Sequence, residues 1–171
     1  MSPIQASFNP EGLEILSREG RLLCSPRNPL KEAEEWVLRY KELIGLTNNI
    51  AIVGCGAGYH VLELEKKYPN KNILVFDLDF AFSNIEKKFK SKLILDKNAK
   101  KIRSDFMDFF SSWPVVLAFR PAFQPFEKEY IQLWMDLTER TAENENKLLQ
   151  SKGYESEEEA KIWMCLRELI K

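Results

Sequence analysis

The sequence predicts an α/β protein, with a mostly parallel sheet covered by helices on both faces and a short β-hairpin before it. Three observations carry this. Ile50-Ala51-Ile52-Val53 is wholly apolar and stops at Gly54, as a strand buried on both faces does. The glycine-rich turn Gly54-Cys55-Gly56-Ala57-Gly58 leads directly into helical spacing at Val61, Leu64 and Tyr68. Strand-like and helix-like segments then alternate, the pattern of parallel strands joined by crossover helices.

The hairpin is predicted from two short apolar runs, Leu13 to Leu16 and Arg21 to Cys24. Ser17-Arg18-Glu19-Gly20 separates them, and Gly20 is free to take positive φ. Ser25-Pro26-Arg27-Asn28-Pro29 breaks the chain. A helix follows, with Asn28 as cap and Pro29 in its first turn. Ala33, Trp36, Val37, Tyr40 and Ile44 form its apolar stripe, and Gly45 ends it.

Past the first strand, a helix spans Tyr59 to Tyr68 and stops at Pro69-Asn70. A second strand runs from Asn72 to Phe76 and ends at Asp77-Leu78-Asp79. The next helix buries Phe82, Ile85 and Phe89. Lys92 to Leu95 and Lys101 to Arg103 are both strand candidates, and the pattern does not choose between them. Pro114 to Phe119 is a further strand. Two helices close the chain. One runs from about Phe126 to Gln150, with Tyr130, Trp134 and Leu137 in register, and stops before Gly153. The other opens on a capping box, Ser156 and Glu159, and presents Ile162, Trp163, Leu166 and Ile170. Residues 1–30 thus form the hairpin and lead-in, and 31–171 the α/β domain, packed together as one unit.

Composition fits this scheme. Among 171 residues, 44% are apolar and 30% charged, an ordinary globular balance. A net charge of −1 gives no broad attraction to nucleic acid or to anionic lipid. No apolar run approaches the roughly 20 residues that span a bilayer. Met1-Ser2-Pro3-Ile4-Gln5 lacks the basic and apolar regions of a signal peptide. Cys24, Cys55 and Cys165 are far apart, without a CxxC, and read as reduced thiols. The expectation is a cytoplasmic protein of open oligomeric state.

The chemistry centres on the glycine loop. Gly54, Gly56 and Gly58 permit a tight turn and close backbone approach, and the helix beginning at Tyr59-His60 offers unpaired N–H groups. Asp77 ends the next strand about twenty residues on, where an acid accepts hydrogen bonds from ribose hydroxyls. The order of strand, loop, helix, strand and acid is Rossmann-like. It makes a small nucleotide-like ligand the expected partner. The alternative is that the glycines only pack helix against sheet. Asp79 reads first as a helix cap, and His60 as a solvated or capping histidine unless it meets a ligand. Arg120, after the Pro114 to Phe119 strand, is an anion partner or a surface ion pair.

Two enzyme classes drop out. No GxxxxGK[ST] places a lysine for phosphoryl transfer, and no Gly-x-Ser-x-Gly elbow serves a hydrolase. A third class stays open. The loop and Asp77 look like those of S-adenosylmethionine-dependent methyltransferases and aminopropyltransferases. Ser104-Asp105-Phe106 resembles the acidic segment that meets adenine in those families. Against this, Ile52 stands where they usually carry an acid, and Phe119-Arg120-Pro121-Ala122-Phe123 supplies no general base.

Two stretches resemble a more specific family. Cys24-Ser25-Pro26-Arg27-Asn28-Pro29-Leu30-Lys31-Glu32-Ala33 is similar to the H-S-x-x-[ND]-P-x-x-E-A segment of motility accessory factor (Maf) proteins. Gly54-Cys55-Gly56-Ala57-Gly58-Tyr59-His60 resembles their G-x-G-x-G-Y-H loop. Ile73 to Asp79 looks like their second strand, with Asp77-Leu78 in place of Glu-Pro and Cys24 in place of a histidine. The likeness covers about Leu13 to Phe89. It implies an N-terminal, Rossmann-like accessory domain of a flagellin glycosyltransferase, one that binds a nucleotide or a CMP-activated sugar. Flagellin or a larger glycosyltransferase would be the partner. The family's sugar-transfer centre is expected in a central domain that this chain lacks. A purely structural interaction domain is the remaining reading.

Overall fold

A computed structural model describes residues 3–96, 98–110 and 114–138. Three antiparallel strands come first: β1 (Ile4–Phe8), β2 (Glu14–Arg18) and β3 (Arg21–Leu22), in the order β1-β2-β3. The hairpin turn is tighter than its sequence suggests. Ser17 and Arg18 belong to β2, and the turn is Glu19-Gly20 alone, at φ 50° and 73°. Positive φ at both positions matches the strands' right-handed twist. The outer strand β1 carries no sequence signal, because Gln5-Ala6-Ser7 is not an apolar run. It lies at the edge, and Phe8 remains 71% exposed.

Helix α1 spans Pro29–Arg39. Asn28 caps it by accepting from the Lys31 N–H at 2.9 Å, and Glu32 reaches back to the Ser25 N–H at 2.7 Å. The expected single helix breaks at Tyr40, and a short α2 (Lys41–Gly45) continues it. The apolar stripe survives the break, since Trp36, Val37, Tyr40 and Ile44 are all buried.

The parallel sheet contains β4 (Asn49–Val53), β5 (Asn72–Asp77), β6 (Lys92–Leu95) and β7 (Val115–Ala118), ordered β6-β5-β4-β7. All pairs are parallel, with Ile52 opposite both Val75 and Leu117. The open choice of strand falls to Lys92–Leu95. Lys101 to Arg103 lies instead in α4 (Ala99–Phe109), where Ile102 and Phe106 share a buried face at helical spacing. The segment after Asp79 is a 3-10 helix, Phe80–Lys88, not an α-helix, yet Phe82, Ile85 and Phe89 are buried as expected.

Helix α3 (Tyr59–Lys67) follows the glycine loop, and α5 (Glu127–Leu137) follows β7. The expected continuation to Gln150, the Gly153 stop, the Ser156-capped helix and Cys165 lie outside the described residues. Alternate residues of β4 feed two cores. Ile50 and Ile52 pack under α1 and α3 with Trp36, Val61 and Leu64. Ala51 and Val53 pack under α4 and α5 with Phe106, Leu133 and Trp134. No helix among the described residues is long and apolar enough to cross a membrane.

The edge strand β7 is closed by side chains. Phe119 N–H donates to Val53 O at 2.9 Å, so the Val116 and Ala118 carbonyls point outward. Trp36 Nε1 donates to Ala118 O at 3.0 Å, and Trp134 Nε1 to Val116 O at 3.4 Å. The two indoles reach the edge from opposite faces of the sheet.

Candidate functional site

The chain runs from β4 to β5 and β6 on one side, then returns to place β7 on the other. Its order reverses beside β4, and in open α/β sheets ligands bind at the carboxyl end of such a point. The glycine loop sits there. Gly54, Gly56 and Gly58 adopt φ 95°, 50° and 82°, and Gly58 is the left-handed cap of α3. The close approach these glycines allow is to their own chain. A Cβ on Gly54 would stand 2.9 Å from Phe119 O and 3.0 Å from Ala122 Cβ. One on Gly56 would stand 2.9 Å from the Phe119 ring and 3.0 Å from Leu23 O.

Asp77 is fully buried and turned into the loop. Its carboxylate accepts from Cys55 N–H at 2.7 Å, from Asp79 N–H at 3.0 Å, and from the Tyr130 hydroxyl. Burial pushes this carboxyl up to about 6, although its donors and Arg18 pull the other way. Burial and the neighbouring Asp77 charge raise the Tyr130 phenol, so at neutral pH Tyr130 is the donor and Asp77 the acceptor. Burial likewise raises the Cys55 thiol, which is no nucleophile at this pH.

His60 is enclosed as well. Its ring stacks on Phe119 at 3.7 Å and 7°, and meets the edge of Trp36 at 5.0 Å. Burial lowers the imidazole to about 3, so it is neutral at physiological pH. Nε2 lies 3.1 Å from Gly54 O and must carry the proton, because a carbonyl only accepts. Nδ1 has no partner among the described residues. His60 therefore braces the loop from inside. Tyr59 ties the same helix to the hairpin, its hydroxyl donating to Glu14 O at 3.0 Å.

Asp79 does cap the 3-10 helix, accepting from Ala81 N–H at 3.0 Å. Its other oxygen lies 2.9 Å from Nη2 of Arg18, a close ion pair whose atoms are not aligned as a hydrogen bond. Arg18 is fully buried, and its Nη1 donates to Gln124 O at 3.2 Å. Its Cζ sits over the rings of Phe82 and Phe126, at 5.4 and 5.3 Å. No protein-family model matches the chain, and no curated protein matches it.

Gly54, Gly56, Gly58, Tyr59, His60, Asp77 and Asp79 thus gather in one cluster at the loop, most of it buried. Asp105 and Arg120 behave differently. Asp105 lies half-buried within α4, which packs on the sheet face opposite α3, and not in a loop at a strand end. Arg120 is exposed and pairs with Glu127 at 2.8 Å.

Sequence reasoning missed Arg18 and Tyr130. The sequence places Arg18 in the turn, yet alternation along β2 puts it on the side of buried Leu16. A charge at that position was the available signal. Helical spacing shows Tyr130 only as one apolar stripe residue, but a buried tyrosine hydroxyl requires a partner.

Proposed function

We propose that this chain is a Rossmann-like accessory domain for a nucleotide or nucleotide-sugar. It is similar in role to the N-terminal domain of Maf glycosyltransferases and has no complete catalytic centre of its own. One observation carries the reading. The positive-φ glycine loop, the start of α3 and Asp77 meet at the carboxyl end of β4, where the strand order reverses. Burial among the described residues supports the absence of a catalytic set. His60 is neutral and stacked, Asp77 holds three donors, and Asp79 is paired with Arg18. The proposed setting is cytoplasmic, with buried reduced Cys24 and Cys55, and flagellin or a larger transferase as partner.

The packing of Gly54 and Gly56 against Phe119, Ala122 and Leu23 favours a second reading, a structural interaction domain. Thermal shift separates the two. CMP or a CMP-activated sugar at 100 times its dissociation constant adds about 2.7 kcal/mol of stability. A response to S-adenosylmethionine and S-adenosylhomocysteine alone transfers the site to the methyltransferase class. No response to any of them leaves the structural reading.

A further inference from the structure

Arg18 occupies its place in an unusual manner. A guanidinium carries five N–H donors, and a buried one normally finds acceptors for them. Here Nη1 reaches Gln124 O, Nη2 lies against Asp79, and Nε has no partner among the described residues. What surrounds the group is more specific than the pairing. Its carbon lies over two aromatic rings, Phe82 after β5 and Phe126 after β7. A carboxylate and a backbone carbonyl stand at its rim. Proteins hold nucleobases by the same means, with rings to stack on and acceptors for an exocyclic amine. The slot stands at the carboxyl ends of the two strands that flank β4. It adjoins a hollow of about 390 Å³ lined by Arg21, Gln124, Phe126, Glu127, Lys128 and Glu129, room for the sugar of a nucleotide, in which two cations are matched by two carboxylates.

The geometry points to Arg18 as an internal occupant of a base-binding slot. Resting on the nucleotide reading above, a nucleotide with an amino-bearing base (cytosine or adenine) competes with the Arg18 guanidinium for its place over the Phe82 and Phe126 rings. Its amine faces Asp79 and Gln124 O. Arg18 withdraws with the exposed Glu19-Gly20 turn, while Ile15 and Leu16 keep the rest of β2 in the core.

The test is calorimetric titration of the wild-type chain and of Arg18→Ala with CMP, AMP and UMP. The variant should bind CMP or AMP more than tenfold tighter than the wild type, and UMP should gain nothing. Ethylguanidinium, refilling the slot, should raise the variant's Tm and compete with the nucleotide. Equal or weaker binding by the variant overturns the slot while leaving nucleotide binding intact. Failure of both proteins to bind any nucleotide overturns both readings, whatever ethylguanidinium does. If Arg18→Ala does not fold, amide exchange on the wild type decides. Saturating CMP or AMP should speed exchange at residues 17–22, and unchanged exchange there rejects the proposal.

Discussion

Arg18, from the hairpin, and Arg120, after β7, each lie within 3 Å of a carboxylate that follows a strand of the parallel sheet. Arg18 is 0% exposed and its partner Asp79 nearly so, whereas Arg120 is 48% exposed and Glu127 a third exposed. Water screens the outer pair and leaves it worth about 0–1 kcal/mol. The inner pair has lost its hydration, so removing one member strands the other without a solvent to receive it. The same two functional groups act as a surface ornament in one place and as an obligatory couple in the other. The lesson extends to the whole cluster at the glycine loop, where His60, Asp77 and Asp79 are all held away from water.

The largest test of this contrast uses pH. Asp77 is raised in the fold, so its contribution is full below about 4 and is lost as pH rises to about 6. His60 is lowered, so its contribution is full above about 6.5 and is lost as pH falls to about 3. Between about pH 4 and 6 the two slopes oppose one another, and the wild type should show little change from them. Asp77→Asn removes one arm. Its unfolding free energy in urea should then rise by about 5 kcal/mol from pH 3 to 6.5, at about 1.4 kcal/mol per unit of pKa shift. His60→Asn removes the other, and stability should fall by about 3 kcal/mol between pH 4 and 6. Parallel curves for all three proteins would mean that neither group is desolvated.

The next effect belongs to Arg18 itself. Arg18→Leu should cost about 3–5 kcal/mol, because Asp79 is left buried and unpaired. Asp79→Asn in the same chain keeps the cap at Ala81 and removes the charge, so the double variant should recover part of that loss. A cost below about 1 kcal/mol would erase the distinction between the two arginines.

Gly54→Ala comes third, at about 3 kcal/mol, from a left-handed backbone and a Cβ forced onto Phe119 O. Far-UV circular dichroism at the denaturation midpoint reads it directly. Arg120→Ala closes the series with a change under about 0.5 kcal/mol, smaller still in high salt.

The fold was largely readable because its signals are local. A wholly apolar β4, the glycine run and the spacing of α3 need no distant partner to be recognised. Expectations slipped where tertiary contacts decide. β1 is a strand because β2 pairs with it, and Lys101 to Arg103 is helical because Ile102 and Phe106 need one common face. The cluster at the loop was readable in membership and not in orientation. Glycines, His60 and Asp77 all reach it, but the sequence does not say that Phe119 and Leu23 fill the space before the glycines, or that Asp77 faces the loop.

The indoles of Trp36 and Trp134 carry a consequence for assembly. Each holds an acceptor that an incoming strand would need, so lengthening the sheet at β7 means evicting two large side chains anchored in opposite cores. Growth by strand exchange or by templating is barred on that border. A companion polypeptide is left the helices, the hairpin or the opposite edge at β6, and Trp36→Phe or Trp134→Phe marks where that prohibition would first be lifted.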